Sequence, residues 1–351
     1  MKYKFRTVKG SKILFTLAAI VLAFVICGLF VLALGYNPFN VYRIIFEGSL
    51  GSKYSILKSL TRATPLIFTG LSVFFADQAG LFNIGAEGQL AIGALTSGIF
   101  AYQFSQIGIP PFLAIILTLI VAFLSGAIWG AIPGILKARF NANEFIVSMM
   151  LNYVAASFCE YMVTYPFRGN AGSTPMTATI PESYQLTRFT TESQLNFGLV
   201  IGLIAIIAVW LYFRFTSSGY EARIMGKNNL ASLAAGVNTK SKTVFVFAIS
   251  GGIAALAGAT EVLGIHGFFM TDISPGYGFD GIAVSVLSQG NTFGVLLSSL
   301  LFGALSAGGS RLDMKSKVPS EFIDVLQAVV IVLIATPKII EKLHIGKRKE
   351  E

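Results

Sequence analysis

Two short polar stretches interrupt apolar sequence, and each combines glycines with a carboxylate. Residues 77–89 read DQAGLFNIGAEGQ, and residues 275–283 read PGYGFDGIA. Glycine loosens or breaks a helix, and a polar group at membrane depth is costly unless it faces a cavity or a partner. Such stretches are typical either of the lining of a polar path or of interfacial turns in which an acid favours a helix N-terminus. If the stretches line a path, these residue types make non-covalent contacts with a polar solute.

The two stretches share an order of glycine, acid, glycine and apolar helix start, in GAEGQLA (85–91) and GFDGIA (278–283). Paired glycine interruptions in corresponding halves of a chain point to a path between two repeats. A mid-span amide needs a partner, and an aromatic face can stack on a ring, although core packing is the alternative for each aromatic residue. The candidates for lining the path are Phe74, Phe75, Asn83, Glu87, Gln89, Asn152 and Asp280.

A third polar stretch, GYEARIMGKNNLASLAAGVN (219–238), lies between two long apolar runs. Ser218 and Glu221 have the spacing of a capping box, Asn228 or Asn229 starts a second helix, and Gly236 stands at a helix C-terminus. We expect one or two short helices on a membrane surface, serving either as a docking site or as a solvated linker. The candidate docking residues are Gly219, Tyr220, Glu221, Arg223, Gly226, Lys227, Asn228, Ala234 and Gly236.

The elements that must position these residues are membrane helices. Of the 351 residues, 54% are apolar and only 12% are charged, about half the charged share of a soluble domain. The apolar runs are continuous and about 20 residues long, which suits helices and excludes an alternating barrel. We predict an all-α polytopic membrane protein with about ten spans in two related halves and glycine-broken helices. The predicted spans are 13–35, 56–76, 84–104, 112–136, 144–164, 195–214, 243–264, 278–290, 292–311 and 321–337.

Charge sets the orientation of these spans. The formal net charge is +9, and the basic residues cluster at 2–12, 137–139, 214–242 and 338–349, which places both termini and these clusters in the cytoplasm. Three basic residues at and beyond the end of the ninth span (Arg311, Lys315 and Lys317) fall on the outside, and Arg62 lies within the second span, so these four do not fit this scheme. The clusters flank apolar runs instead of forming one patch, so nucleic acid is not an expected partner.

The organisation that follows is one transmembrane domain over residues 1–351. Its parts are a first half (13–164), an extracellular loop (165–194), a second half (195–337) that includes a cytoplasmic loop (215–242), and a cytoplasmic tail (338–351). The extracellular loop is rich in Pro, Gly, Ser and Thr, and it either covers a path or meets an external partner, or it is disordered.

The sequence lacks the residue patterns of an enzyme. The phosphate-binding pattern G-x-x-x-x-G-K-[ST] does not occur. His266 and His344 stand alone, which predicts neither a metal site nor a nucleophile triad. We therefore expect no catalytic residue, no metal and no cofactor in this chain.

Four motifs together resemble the inner-membrane permeases of ABC importers for nucleosides and simple sugars, a group that includes ribose and branched-chain amino-acid permeases. They are GLFNIGAEGQ (80–89), PGILKARFNANEFIVSMMLNY (133–153), GFDGIAV (278–284) and the stretch 219–238, which resembles the loop that docks the ATPase in that family. The likeness runs from about residue 40 to 337 and is greatest to the longer of two paired nucleoside permeases. VLSQGN (286–291) departs from the family, whose members often carry a glycine-rich stretch there.

The resemblance implies a multi-pass protein of the bacterial cell membrane with a fold like the ten-span vitamin B12 permease. It implies four partners: a cytosolic ATPase with two nucleotide sites that hydrolyses the ATP, a second permease, an extracellular substrate-binding lipoprotein and the lipid bilayer. The expected function is nucleoside import, with simple-sugar import as the alternative. Two rival functions of a different class are a secondary transporter coupled to ions through Glu87 or Asp280, and a scaffold that does not transport.

Overall fold

The computed structural model describes residues 9–169, 174–316, 318 and 322–333, and these ranges are mainly helical, with isolated bridges but no β-strand. The expected all-α class is confirmed. In chain order the helices are α1 (Lys9–Ala33), α2 (Pro38–Ser49), α3 (Lys53–Asp77), α4 (Ala86–Ile107), α5 (Pro111–Phe140), α6 (Glu144–Thr164), α7 (Gly198–Phe215), α8 (Ser217–Lys227), α9 (Asn229–Ala234), α10 (Thr239–Glu261), α11 (Tyr277–Leu287), α12 (Thr292–Lys315) and α13 (Phe322–Leu333). A 3₁₀ turn (Glu182–Tyr184) and a π-helical turn (Val262–His266) complete the set.

Six of these helices are long and apolar enough to cross a membrane: α3, α5, α6, α7, α10 with its π-helical turn, and α12. The protein is thus a multi-pass membrane protein. Shorter apolar segments are the Val21–Ala33 part of α1 and the helices α11 and α13. Each of the ten predicted spans overlaps one helix, but the count of ten crossings stays a prediction. Helix α2 was not predicted, because its twelve residues mix apolar, polar and charged side chains.

Both polar breaks lie at helix boundaries, and that their glycines break membrane helices stays a prediction. Helix α3 ends at Asp77 and α4 begins at Ala86, and between them Gly80 has a φ of +69°. At the second break, Gly276 precedes α11 with a φ of +106°. Glycine adopts these left-handed angles without steric cost. Helix α11 has only 11 residues, about 16 Å of length, which is half a hydrocarbon core. That the two halves are related stays a prediction.

Residues pack into two compact units, Leu57–Gly303 and the combination of Met1–Ile56 with Ala304–Glu351. The first unit is built around α10, whose glycines and alanines lie against α4 and α5. A Cβ atom on Gly258 would lie 2.1 Å from the carbonyl oxygen of Leu90, and one on Gly93 would lie 2.3 Å from that of Ala255. Only hydrogen fits at such distances, so the backbones of α4 and α10 touch.

Helix α5 meets α10 in the same way through glycines one helical turn apart. Cβ atoms on Gly126 and Gly130 would lie 2.5 Å from the carbonyl oxygens of Gly251 and Phe247 respectively. Gly134 continues the row. Membrane helices lack a hydrophobic driving force between them and depend on such close packing of small residues.

The second unit holds α2 against the C-terminal part of α12. A Cβ atom on Gly48 would lie 3.0 Å from the Cα atom of Gly308. The Glu47 carboxylate accepts from Arg43 Nε at 2.9 Å and from Arg311 Nη2 at 3.4 Å. The pKa of Glu47 is lowered by the hydrogen bond from Arg43, and nearby cations act in the same direction, so the carboxylate is charged at neutral pH.

The described part of the predicted extracellular loop is ordered by hydrogen bonds to the segment after α10. The amides of Leu186, Ile180 and Thr177 donate to the carbonyl oxygens of Leu263, Gly267 and Phe269 at 2.8 to 2.9 Å. The alternative of a disordered loop is therefore wrong for residues 174–194. Residues 170–173 lie outside the described ranges, as does the predicted cytoplasmic tail.

The contact of α10 with α5 can be tested by its effect on stability. Gly251→Ala places a methyl group 2.3 Å from the Gly126 carbonyl oxygen, and overpacking of this kind costs about 1–3 kcal/mol. The matched control is Gly202→Ala in α7, where the new methyl group meets only side-chain atoms, at 3.3 Å or more. We expect thermal unfolding in detergent to shift downward for the first variant only. Equal melting temperatures for the two variants would contradict the proposed packing.

Candidate functional site

Asn83 is the centre of a buried hydrogen-bond network that joins the first polar break to α4 and α10. Its Nδ2 donates to Gln89 Oε1 and to Ser250 Oγ, both at 2.8 Å. Its Oδ1 accepts from the Gly85 amide at 2.9 Å and from Gln89 Nε2 at 3.2 Å. Ser250 Oγ donates onward to the Ser72 carbonyl oxygen. Two of the predicted path residues, Asn83 and Gln89, are thus brought together, and their hydrogen bonds hold the break in place.

Asn152, the mid-span amide of α6, has the partner that its position requires. Its Oδ1 accepts from the Gly88 amide at 2.9 Å, and its Nδ2 donates to the Ile84 carbonyl oxygen at 3.0 Å. Both partners belong to the first polar break and the start of α4. Asn143 caps α6, because its Oδ1 accepts from the Phe145 amide.

Glu87 lies at the junction of the two polar breaks. Its carboxylate accepts from the Gly278 amide at 2.6 Å, within the first turn of α11. A Cβ atom on Gly278 would lie 2.3 Å from the Glu87 amide nitrogen, so glycine is needed for this approach. A negative charge at a helix N-terminus is stabilised by the helix dipole. Asp280 lies in the same turn, so the structure brings both predicted acids to one helix start.

The two aromatic candidates of α3 lie inside the protein. Phe74 and Phe75 are about 1–2% exposed, and their rings pack against Phe213 and Tyr212 of α7 at centroid distances of 5.0 to 6.2 Å. In this conformation their environment is therefore that of core packing.

A buried ionic cluster close to the second break was not predicted as a site. Arg62 of α3 donates to the Tyr277 hydroxyl at 2.9 Å and interacts electrostatically with Glu261 at the end of α10. Glu261 is only 4% exposed, and His266 Nε2 lies 3.8 Å from its carboxylate. His266 thus has an acidic neighbour in the structure, although it stands alone in the sequence. The signal was present in the sequence, since Arg62 and Glu261 are charges within apolar spans.

The predicted docking stretch forms two short helices, as expected. Asn228 caps α9 by accepting from the Ala231 amide at 3.0 Å, and Gly236 follows α9 with a φ of +82°. The predicted cap of α8 is wrong: Thr216 Oγ1 accepts from the Gly219 amide, whereas Ser218 lies inside the helix. Ser218 instead accepts from Lys242 Nζ at 2.8 Å.

The side chains of α8 and α9 divide into anchored and exposed groups. Glu221 is anchored by Lys242, with 2.7 Å between its Oε2 and the lysine Nζ. Arg223 is partly buried, while Lys227 is exposed. Tyr220 and Leu230 are 60% and 78% exposed. The exposed side chains of this stretch thus include apolar, aromatic and basic ones. Ala234 is the last residue of α9.

Two glycines let α8 approach other backbones. A Cβ atom on Gly219 would lie 2.3 Å from the Tyr212 carbonyl oxygen of α7. One on Gly226 would lie 2.5 Å from the Gln78 carbonyl oxygen and 2.7 Å from the Gly80 amide nitrogen. The end of α8 therefore contacts the turn that opens the first polar break.

Within the described ranges, no group of three His, Cys, Asp or Glu side chains is placed to hold a metal ion.

The sequence is similar to transport proteins over nearly its whole length. It is 34% identical to the guanosine ABC transporter permease protein NupP of Bacillus subtilis, over 97% of this chain and 98% of the relative. Identity to the nucleoside ABC transporter permease protein NupB of Lactococcus lactis is 35%, over 95% and 93%. Identity to the glucose ABC transporter permease protein TsgB13 of Haloferax volcanii is 32%, over 96% and 90%.

No solved structure matches the chain. The sequence profile described as "Branched-chain amino acid transport system / permease component" matches residues 55–335, which include both polar breaks, the ionic cluster and the α8–α9 stretch. This chain therefore belongs to the family of branched-chain amino acid transport system permease components.

Proposed function

We propose that this chain is a permease subunit of an ABC importer that takes up nucleosides through a bacterial cell membrane. The supporting observation is similarity over nearly the full length to permeases named for guanosine and for nucleosides. The glucose permease relative, at 32% identity, supports simple sugars as the second candidate. Permease components of this family do not hydrolyse ATP themselves, and the sequence has no phosphate-binding loop motif.

The proposed assembly contains three further proteins. A cytosolic ATPase with two nucleotide sites supplies the energy, a second and different permease forms the other wall of the path, and an extracellular lipoprotein delivers the substrate. The N- and C-termini face the cytoplasm, as the basic clusters indicate. Closure of the ATPase on ATP then rocks the helices as rigid bodies and switches access to the path.

Uptake of labelled substrates tests this function. We expect deletion of the chain to abolish guanosine uptake at nanomolar substrate and to leave glucose and ribose uptake unchanged, with restoration by the wild-type chain. Depletion of cellular ATP should stop the restored uptake, whereas an ionophore that collapses ion gradients while ATP is maintained should not. Loss of sugar uptake alone would overturn the nucleoside assignment, and sensitivity to the ionophore would favour an ion-coupled transporter.

The surface proposed to receive the ATPase is the exposed part of α8 and α9. Leu230 and Tyr220 are large side chains left in contact with solvent on a polar loop, and such apolar or aromatic anchors dominate the energetics of protein interfaces. Lys227 adds an exposed positive charge beside them. Glu221 is less suited as a test residue, because its salt bridge with Lys242 fixes the loop internally.

Leu230→Asp is the sharper test of docking. A charge in place of a buried interface anchor should cost at least about 1.4 kcal/mol, which is a tenfold loss of affinity. The control is Ile107→Asp at the end of α4, because Ile107 is 74% exposed and Leu230 is 78% exposed. We expect only the first variant to lose co-purification with the ATPase and ATP-dependent uptake at equal membrane levels. Unchanged binding by Leu230→Asp would contradict docking at α9.

The ionic cluster supports a polar passage beside the start of α11. Arg62 and Tyr277 are joined by a hydrogen bond, and Glu261 is almost fully buried next to them. Charged groups inside membrane spans usually mark substrate or ion pathways. We infer that the hydroxyl-rich solute passes this cluster and the adjoining contact of Glu87 with Gly278. A substrate role for Phe74 and Phe75 would require a conformation in which they leave their present packing.

A double-mutant cycle tests whether Arg62 compensates the buried charge. Arg62→Met should lower the free energy of unfolding by about 1.5–3 kcal/mol, because it removes a charged hydrogen-bond donor to Tyr277 and the electrostatic interaction with Glu261. Adding Glu261→Gln should recover part of that loss, since no uncompensated charge then remains. Thermal unfolding and uptake are measured for each variant, with exposed Arg168→Met as the control. Additive effects of the two substitutions would show that the residues are not coupled.

A further inference from the structure

Two cavities flank α2 in the unit that combines Met1–Ile56 with Ala304–Glu351. The first, of about 470 Å³, is polar and is lined by side chains of the α1–α2 turn, of α2 and of the end of α12, including Asn37, Asn40, Arg43, Glu47 and Lys315. The second, of about 370 Å³, is an apolar groove between α1 and α2. The two are adjacent in the chain, since Asn37 lines one and Pro38 lines the other.

The polar cavity carries an excess of positive charge. Arg43 and Lys315 line it, and Arg311 reaches Glu47 at its wall, so three cations surround one carboxylate. Arg311 Nε is buried and has no hydrogen-bond partner in the described part of the chain. The amide side chains of Asn37 and Asn40 add neutral polar groups to the wall. A cavity of this composition complements a singly charged phosphate diester.

The apolar groove has the walls that a hydrocarbon chain needs. It runs along α1 past Val21, Val25, Gly28 and Leu32 and ends at Tyr42 of α2. Gly28 leaves room for the Tyr42 ring, whose hydroxyl would lie 3.2 Å from a Cβ atom at that position. The Tyr42 hydroxyl is satisfied by the Phe24 carbonyl oxygen, so the groove presents apolar surface.

The outer face of α2 is suited to the surface of a bilayer. Phe39, Phe46 and Leu50 are 85%, 61% and 50% exposed, and the exposed Arg43 lies among them with the spacing of one helix face. A helix that presents aromatic and apolar residues around a basic one is typical of the membrane interface. This face brings the polar cavity to the depth of lipid headgroups.

We propose that this unit binds one anionic phospholipid, with its phosphate in the polar cavity beside Arg43 and Lys315 and an acyl chain in the groove between α1 and α2. The lipid site shares no residue with the proposed solute path. The lipid proposal therefore does not depend on whether the transported solute is a nucleoside. Charge complementarity selects an anionic headgroup over a zwitterionic one, and the adjoining groove selects a lipid over a free phosphate ion.

Lipid competition on the purified full chain in detergent tests the proposal without any substitution. We expect labelled palmitoyl-oleoyl phosphatidylglycerol to bind at one molecule per chain and to be displaced by the same unlabelled lipid. Phosphatidylcholine with the same acyl chains, inorganic phosphate and the chain-free headgroup glycerophosphoglycerol should each fail to displace it. Equal displacement by phosphatidylcholine would show that the bound lipid is part of a non-selective lipid annulus. Displacement by inorganic phosphate or by glycerophosphoglycerol would show that the site binds an anion and not a lipid.

A pair of double variants locates the site. Arg43→Gln/Lys315→Gln should weaken binding of the labelled lipid about 25-fold, since each basic residue near an anionic lipid contributes roughly a factor of five. The control, Arg214→Gln/Lys240→Gln, removes two exposed basic residues elsewhere and should bind as the wild type does. Wild-type affinity in the first variant, or an equal loss in the control, would overturn the proposed location. Thermal unfolding of both variants verifies folding.

Discussion

The close approach of α10 to α4 and α5 is the constraint on which the rest of the Leu57–Gly303 unit depends. Glycines at the contacts bring carbonyl oxygens to within 2.1 to 2.5 Å of where a Cβ atom would stand, so no larger side chain can be accommodated without separating the helices. This approach fixes the positions of Ser250 and Glu261 of α10 relative to α4 and α5. It thereby determines which side chains of α3, the first polar break and α11 these two residues meet.

The interior polar groups act as ties between elements far apart in the sequence. Asn83 reaches Ser250 across 167 residues, and Glu87 reaches Gly278 across 191 residues. An unpaired polar group would be costly in this apolar setting, so each tie favours one arrangement of the helices over its competitors. The same hydrogen bonds stabilise the polar breaks, where the gap between helices would otherwise weaken the fold. The polar breaks are thus structural joints as well as the place proposed for the solute path.

The sequence could indicate which residues need partners, but not which partners they find. Asn83, Glu87 and Asn152 stand out as polar residues within apolar runs, whereas their partners include backbone groups, such as the Gly278 amide and the Ile84 carbonyl oxygen, that carry no sequence signal. The helix class followed from composition, because lipid permits few backbone structures. Helix α2 escaped prediction because its amphipathic face is short. The cap of α8 is Thr216 and not Ser218, because Thr216 precedes the helix and its hydroxyl can accept from a free amide of the first turn.

The contact of Gly226 with Gly80 links the α8–α9 stretch to the polar breaks. It joins backbone to backbone, and close-packed backbone cannot be compressed. A force that displaces α8 must therefore move the turn at residues 78–80, which lies only three residues before Asn83. Asn83 is bonded to α4 and, through Ser250, to α10. Helix α4 in turn carries Glu87, which holds the start of α11. A displacement of α8 is therefore passed through the first polar break to α4 and α11, in addition to its direct contact with α10 through Lys242.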